Sequence, residues 1–260
     1  MALTFTPQLT TEYRQLFDTC VIKNYSEVDA CVDRIVKNKA RYDTVGNTIR
    51  VPWYFIGILH NMEGSCNFTT HLHNGDPLTA RTVQVPKGCP KTGNPPFTWE
   101  SSAEDALRIK KFDTWVDWTV PGLLFKMEVY NGTGYRSRGI HTPYLWSYSN
   151  HYTKGKFVKD GFYDPAAVSK QIGAAVLLRR MSERELAVAG EIDTVTQIKT
   201  LGEEVQFNPT TYSEKAEQLQ VLLNSIGQSL RTDGKPGEKT SNAYQRISGN
   251  YLKGDSRRTG

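Results

Sequence analysis

The densest reactive chemistry in the chain lies in one window, His60-Asn61-Met62-Glu63-Gly64-Ser65-Cys66-Asn67-Phe68-Thr69-Thr70-His71-Leu72-His73-Asn74-Gly75-Asp76. Glu63 closes an otherwise apolar helical run, one turn after Leu59, so its carboxyl should emerge beside hydrophobic walls. Loss of hydration there disfavours the charged form and raises the pKa. A carboxyl held protonated near neutral pH is suited to protonate a glycosidic oxygen. Asp76, in the polar turn Asn74-Gly75-Asp76-Pro77, should stay ionised. A protonated acid and an ionised partner in contrasting surroundings are what glycoside hydrolysis uses. Each residue has a plainer alternative: a solvated glutamate at a helix end, and an aspartate that only makes a good turn. Glu128 is a rival for the acid role or, alternatively, a structural carboxylate.

His60, His71 and His73, with Glu63 and Asp76, offer an alternative as a zinc site, since His71-x-His73 on a strand would point both rings to one side. The window has no H-E-x-x-H, however, and the cysteines have no ligand spacing, so no metal and no cofactor is expected. Further along, Tyr135, Tyr144, Trp146, Tyr148, His151 and Tyr152 form an aromatic segment that suits stacking on sugar rings or, alternatively, core packing. In an extended segment Tyr144 and Trp146 would share one face.

The elements that must hold these groups are mostly helical. Helical spacing of apolar residues marks 10–23 and 27–41, Pro52 opens the helix that Gly64 can end, and helices resume over 101–111, 121–130 and 165–189. In the last of these, Val168, Ile172, Ala175, Val176 and Leu178 should pack inward. Residues 67–97 turn to Thr, Val, Gly and Pro, and the alternation in TARTVQVP predicts a small β-hairpin between turns. The expected class is α+β, mainly α-helical. The weak apolar pattern after 190 predicts a catalytic domain over 1–190, a linker over 191–211 and a short helical unit over 212–260.

With 38% hydrophobic residues and 21 glycines in 260, the chain has an ordinary globular composition, neither disordered nor membranous. No run of about 18 apolar residues is present to span a bilayer. The N-terminus, MALTFTPQLTTEYRQLF, lacks a basic segment followed by an apolar run, so synthesis in the cytoplasm without a secretion signal is expected. Four cysteines without a C-x-x-C pair are too sparse for a disulfide scaffold, and Cys20 and Cys31 read as buried thiols. Of the net charge of +5, residues 231–260 hold +4, seven basic against three acidic side chains. A basic tail suits an anionic partner such as a wall polymer. Nucleic acid is not expected, because no aromatic-basic interleaving precedes the tail.

A helix ending in Glu-Gly-Ser-x-x-Asn-Phe, a hairpin, and a later Tyr130-Asn131-Gly132-Thr133-Gly134-Tyr135 stretch resemble the lysozyme superfamily, in particular goose-type lysozymes and soluble lytic transglycosylases. Residues 10–182 also resemble a bacterial and phage lysozyme-family group, through PWYFIGILHNMEGSCNFTTHLHNGDPLTARTVQVPKG and PYLWSYSNHYTKGKF. The resemblance implies Glu63 as general acid, Asp76 as the group positioning the attacking water, and Tyr130 and Asn131 as residues lining the cleft floor; Tyr144 and Trp146 of the aromatic segment, and His73, are the further substrate-binding candidates. The Gly-Leu-Met-Gln motif of transglycosylases is missing, Gly follows Glu63, and Val precedes Tyr130, which favours hydrolysis over the anhydro-forming reaction. Residues 212–247 resemble a peptidoglycan-binding repeat, which implies wall contact through Asp233 and Gly234; the alternative is a helical hairpin that only packs. Together these imply a monomeric, bacteriolytic peptidoglycan hydrolase of the endolysin type, released to the wall without membrane insertion; the alternatives are a lytic transglycosylase and a non-catalytic wall-binding or phage structural protein.

Overall fold

A computed structural model describes residues 3–159, 161–187 and 194–258. The fold is α+β and mainly helical, 48% helix with one two-stranded antiparallel hairpin. In chain order come α1 (Pro7–Asp18), α2 (Tyr25–Lys37), α3 (Lys39–Ile49), α4 (Trp53–Gly64), α5 (Trp99–Ile109), α6 (Val120–Asn131), α7 (Pro143–Trp146), β1 (Lys156–Lys159), β2 (Phe162–Asp164), α8 (Ala174–Glu183), α9 (Thr194–Gly202), α10 (Glu214–Ser225) and α11 (Glu238–Ser248). No helix among the described residues is long and apolar enough to cross a membrane.

Two compact units emerge, one built from Tyr13–Trp115 and Leu123–Ala187, the other from Thr4–Glu12, Val116–Gly122 and the C-terminal part of the chain. In the first, α4 is the central element. Its residues from Tyr54 to Met62 are all buried, as expected of a helix apolar on every side. It packs on α2, α3 and α8. The approach to α2 is close enough that a Cβ on Gly57 would sit 2.5 Å from Ile35 Cγ2, so only glycine fits. Asn38 separates α2 from α3, where the spacing read as one helix to residue 41 in fact covers two.

The hairpin is not where the alternation in TARTVQVP placed it. Among the described residues 67–97 hold no strand, only an isolated bridge between Thr70 and Pro77. Here the polar Thr82 points inward at 2% exposure while Val83 and Val85 stand 67% and 88% exposed, so the alternation has no apolar face to bury. The strands are β1 and β2, paired Lys156 with Asp164 and Phe157 with Tyr163. The helix expected over 165–189 begins only at Ala174. Asp164 Oδ1 accepts the amides of Ala166 and Ala167, which turns the chain at that point and leaves Val168 exposed.

The second unit packs α9, α10 and α11 around Ile198, Leu201, Leu219, Leu222, Leu223, Ala243 and Tyr244. Of the stretch read as a linker, 191–193 lie outside the described residues, as does the expected boundary at 190. From Thr194 onward it is not a linker. Ile198, Leu201 and Val205 follow at intervals of three and four and are buried in this core. Ser213 caps α10, its hydroxyl accepting the Ala216 amide.

Candidate active site

Glu63 lies in the last turn of α4, which stops at Ser65, a left-handed residue whose amide closes on Asn61 O. The carboxyl is open to solvent, yet enough protein surrounds it that lost hydration pushes its pKa up. The negative end of the α4 dipole acts in the same sense. Two groups pull the other way: the Tyr144 hydroxyl, which donates to Glu63 Oε1 at 2.8 Å, and the charge of Lys110. Oε2 has no hydrogen-bond partner among the described residues, so this oxygen is the one free to meet a ligand.

Tyr130 of α6 completes the cluster. Its hydroxyl is pushed up by burial and then by the charge of Glu63, and that of Tyr144 is raised for the same two reasons. The Tyr130 ring stacks on Phe112 with centroids 6.0 Å apart, and Lys110 Nζ lies 5.0 Å from its centre. Glu63, Tyr130 and Tyr144 are thus brought together as expected, whereas Lys110 and Phe112 were missed. Neither belongs to a motif, and only folding carries the end of α5 to this place.

Other expected residues take different roles. Tyr144 and Trp146 do not share a face, because α7 is a helical turn on which residues two apart diverge. Trp146 is buried in the core, its ring edge-on to His151, and is not available to stack on a sugar. Asn131 is exposed at the end of α6. Asp76 is engaged by its own loop. Its Oδ2 accepts the amides of Val83 at 2.7 Å and Gln84 at 2.9 Å and the Asn74 side chain at 3.0 Å. These bonds favour the carboxylate and hold Asp76 below the usual carboxylate range, so it ties down its own loop.

The histidines are equally engaged. His60 joins α4 to the following loop: Nε2 donates to Asn67 O at 3.1 Å, and Nδ1 accepts from Tyr42 Oη at 3.1 Å. Burial pushes its pKa down to about 4, so the ring is neutral. His71 donates through Nε2 to Ala80 O at 2.8 Å and accepts at Nδ1 from Ser102 Oγ at 2.6 Å. His73 places Nε2 2.9 Å from Asp105 Oδ2 with its side chain almost wholly enclosed, which removes it from a substrate surface.

Glu128 is structural. At 3% exposure its Oε2 accepts from Tyr13 Oη at 2.7 Å and Arg136 Nη2 at 2.8 Å, with Arg136 Nε 2.7 Å from Oε1. In the second unit Asp233 and Gly234 belong to a turn held by Gln220. Gln220 Oε1 accepts the Gly234 amide at 2.9 Å, and Asp233 Oδ1 accepts the Lys235 amide at 3.0 Å. Gly234 has φ of +66°, and a Cβ there would lie 2.5 Å from the Tyr212 ring. Both residues have a place in the fold of the turn. Much of the tail's basicity is also paired within this unit, Arg257 with Asp255 and Arg258 with Glu203.

No protein-family model matches the chain, and no curated protein or solved structure does either.

Proposed function

We propose that the first unit cleaves the β-1,4 bond between N-acetylmuramic acid and N-acetylglucosamine in peptidoglycan, with Glu63 as general acid. The observation that carries this reading is a solvent-open carboxyl whose pKa is raised by lost hydration, with one oxygen held by the Tyr144 hydroxyl and the other free. In this arrangement Oε2 gives its proton to the departing glycosidic oxygen. The carboxylate left behind keeps the Tyr144 hydrogen bond and the nearby charge of Lys110, both of which favour the ionised form. Tyr130, stacked on Phe112, supplies a hydroxyl beside the same carboxyl. The resemblance of residues 10–182 to lysozyme-like proteins supplies the substrate class.

A second reading, lytic transglycosylation, is favoured by the engagement of Asp76 with the amides of its own loop. Formation of an anhydro end needs no second carboxylate, because the sugar's own hydroxyl attacks. Incubation of the protein with purified sacculi, followed by mass spectrometry of the released muropeptides, separates the two: reducing ends mean hydrolysis, anhydro ends mean transglycosylation. Release of neither, or release undiminished in Glu63→Gln, overturns the proposal.

A further inference from the structure

Between the irregular segment 67–97 and α5, three unlike donors converge. A nitrogen of His73, Cys89 Sγ and a carboxylate oxygen of Asp105 all lie within 4.8 Å of one another. Cys89 is 1% exposed, and its thiol has no hydrogen-bond partner among the described residues. Asp105 is 19% exposed at its side chain, so the cluster has one wet side through which an ion can enter.

The hydrogen bonds around His73 provide an acceptor for its proton on either ring nitrogen. Ala80 O only accepts, so His71 carries its proton on Nε2 and must accept at Nδ1 from Ser102. Ser102 has a single proton, now spent on His71. Its oxygen can therefore only accept from His73 Nδ1, which lies 3.5 Å away. In the metal-free chain the His73 proton sits on Nε2 and is donated to Asp105 Oδ2, 2.9 Å away, which leaves Ser102 free to accept a proton on Nδ1 when an ion takes Nε2. A cation held between Nε2, the Asp105 carboxylate and the buried thiol takes the place of that shared proton. The outer partner that a metal-bound imidazole requires, an acceptor for its other N–H, is already present in Ser102.

We propose that His73, Cys89 and Asp105 form a binding site for a zinc-class divalent ion, through Nε2, Sγ and Oδ2, with water as fourth ligand. A mixed sulfur, nitrogen and oxygen set suits Zn²⁺ and Co²⁺ and excludes Mg²⁺ and Ca²⁺ as preferred occupants. On binding, the Cys89 thiol proton leaves to solvent and the His73 proton passes from Nε2 to Nδ1, where Ser102 accepts it. The ion would clip a long segment without strands to α5, the service a structural metal performs where regular hydrogen bonding is sparse. The site uses neither Glu63 nor Tyr144 and stands independently of the proposed activity.

The test uses the full-length chain stripped of metal. Titration with Zn²⁺ against a chromophoric chelator should show one equivalent bound, and Co²⁺ should produce a thiolate-to-cobalt charge-transfer band. Cys89→Ser should abolish that band, and Asp105→Asn should weaken Zn²⁺ binding by about 100-fold or more. Ser102→Ala should weaken it by about 10–100-fold, the usual effect of removing an outer partner. Circular dichroism confirms that each variant keeps its helices. Absence of the band in the unmutated chain, or its survival in folded Cys89→Ser, overturns the proposal whether or not the other variants fold.

Discussion

Replacing Glu128 with glutamine separates a carboxylate that holds the fold from one that does chemistry. Glu128 is enclosed at 3% exposure and meets Arg136 through both oxygens and Tyr13 through one. Glutamine keeps the shape but leaves the guanidinium without a counter-charge and turns an N–H₂ toward a donor. Removing one partner of a buried pair costs about 3–5 kcal/mol. Arg136 keeps 25% of its side chain in solvent and can partly rehydrate, which reduces the expected loss to about 2–3 kcal/mol. With an m-value of about 2 kcal/mol/M, the urea midpoint should fall by about 1–1.5 M. Tryptophan fluorescence is the assay, because four of the five tryptophans, Trp53, Trp99, Trp115 and Trp146, belong to the first unit. Glycan cleavage below the transition should persist. Glu63→Gln should do the reverse. The folded state holds the Glu63 pKa up, so ionisation above that pKa opposes folding, and the neutral amide removes this penalty at pH 7. An unchanged midpoint in Glu128→Gln would refute the structural assignment, and lost cleavage at an unchanged midpoint would make Glu128 the acid.

Tyr144→Phe removes a hydrogen bond that favours the Glu63 carboxylate, so the Glu63 pKa should rise further. An acid must be protonated to act, so the alkaline limb of the pH–cleavage profile should move to higher pH, and an unmoved limb would contradict the pairing. For Asp76 the depressed pKa stabilises its loop above the usual carboxylate range, and that stabilisation fades as pH falls through the depressed value. Asp76→Asn should lower hydrogen-exchange protection of the Val83 and Gln84 amides at neutral pH while cleavage continues, and abolished cleavage would restore Asp76 as a catalytic group. Gly57→Ala drives a methyl against Ile35 and should cost about 1–3 kcal/mol in urea unfolding; no loss would mean that α2 and α4 are less closely apposed.

The local grammar of the chain is enough to place α4 and its glutamate. An apolar run behind Pro52 makes a buried helix, and Glu63 falls at its end because polar residues follow. Ser213 ahead of an amphipathic stretch likewise marks α10, and the mainly helical class follows from such spacing. Spacing reports which side of an element is apolar, not which distant element will cover it. TARTVQVP alternates like a strand, yet it meets no strand, and its valines remain in solvent. The Tyr144 hydroxyl reaches Glu63 across 81 residues of sequence, and the hydrogen bond that gives the carboxyl its orientation exists only because the first unit folds α7 back onto the end of α4. Asp76 and His73 follow Glu63 by 13 and 10 residues, and are held instead by the amides of Val83 and Gln84 and by the Asp105 carboxylate. Sequence determined where the acid sits on its helix; tertiary structure decided which groups surround it, because burial and hydrogen bonding between remote segments are properties of packing alone.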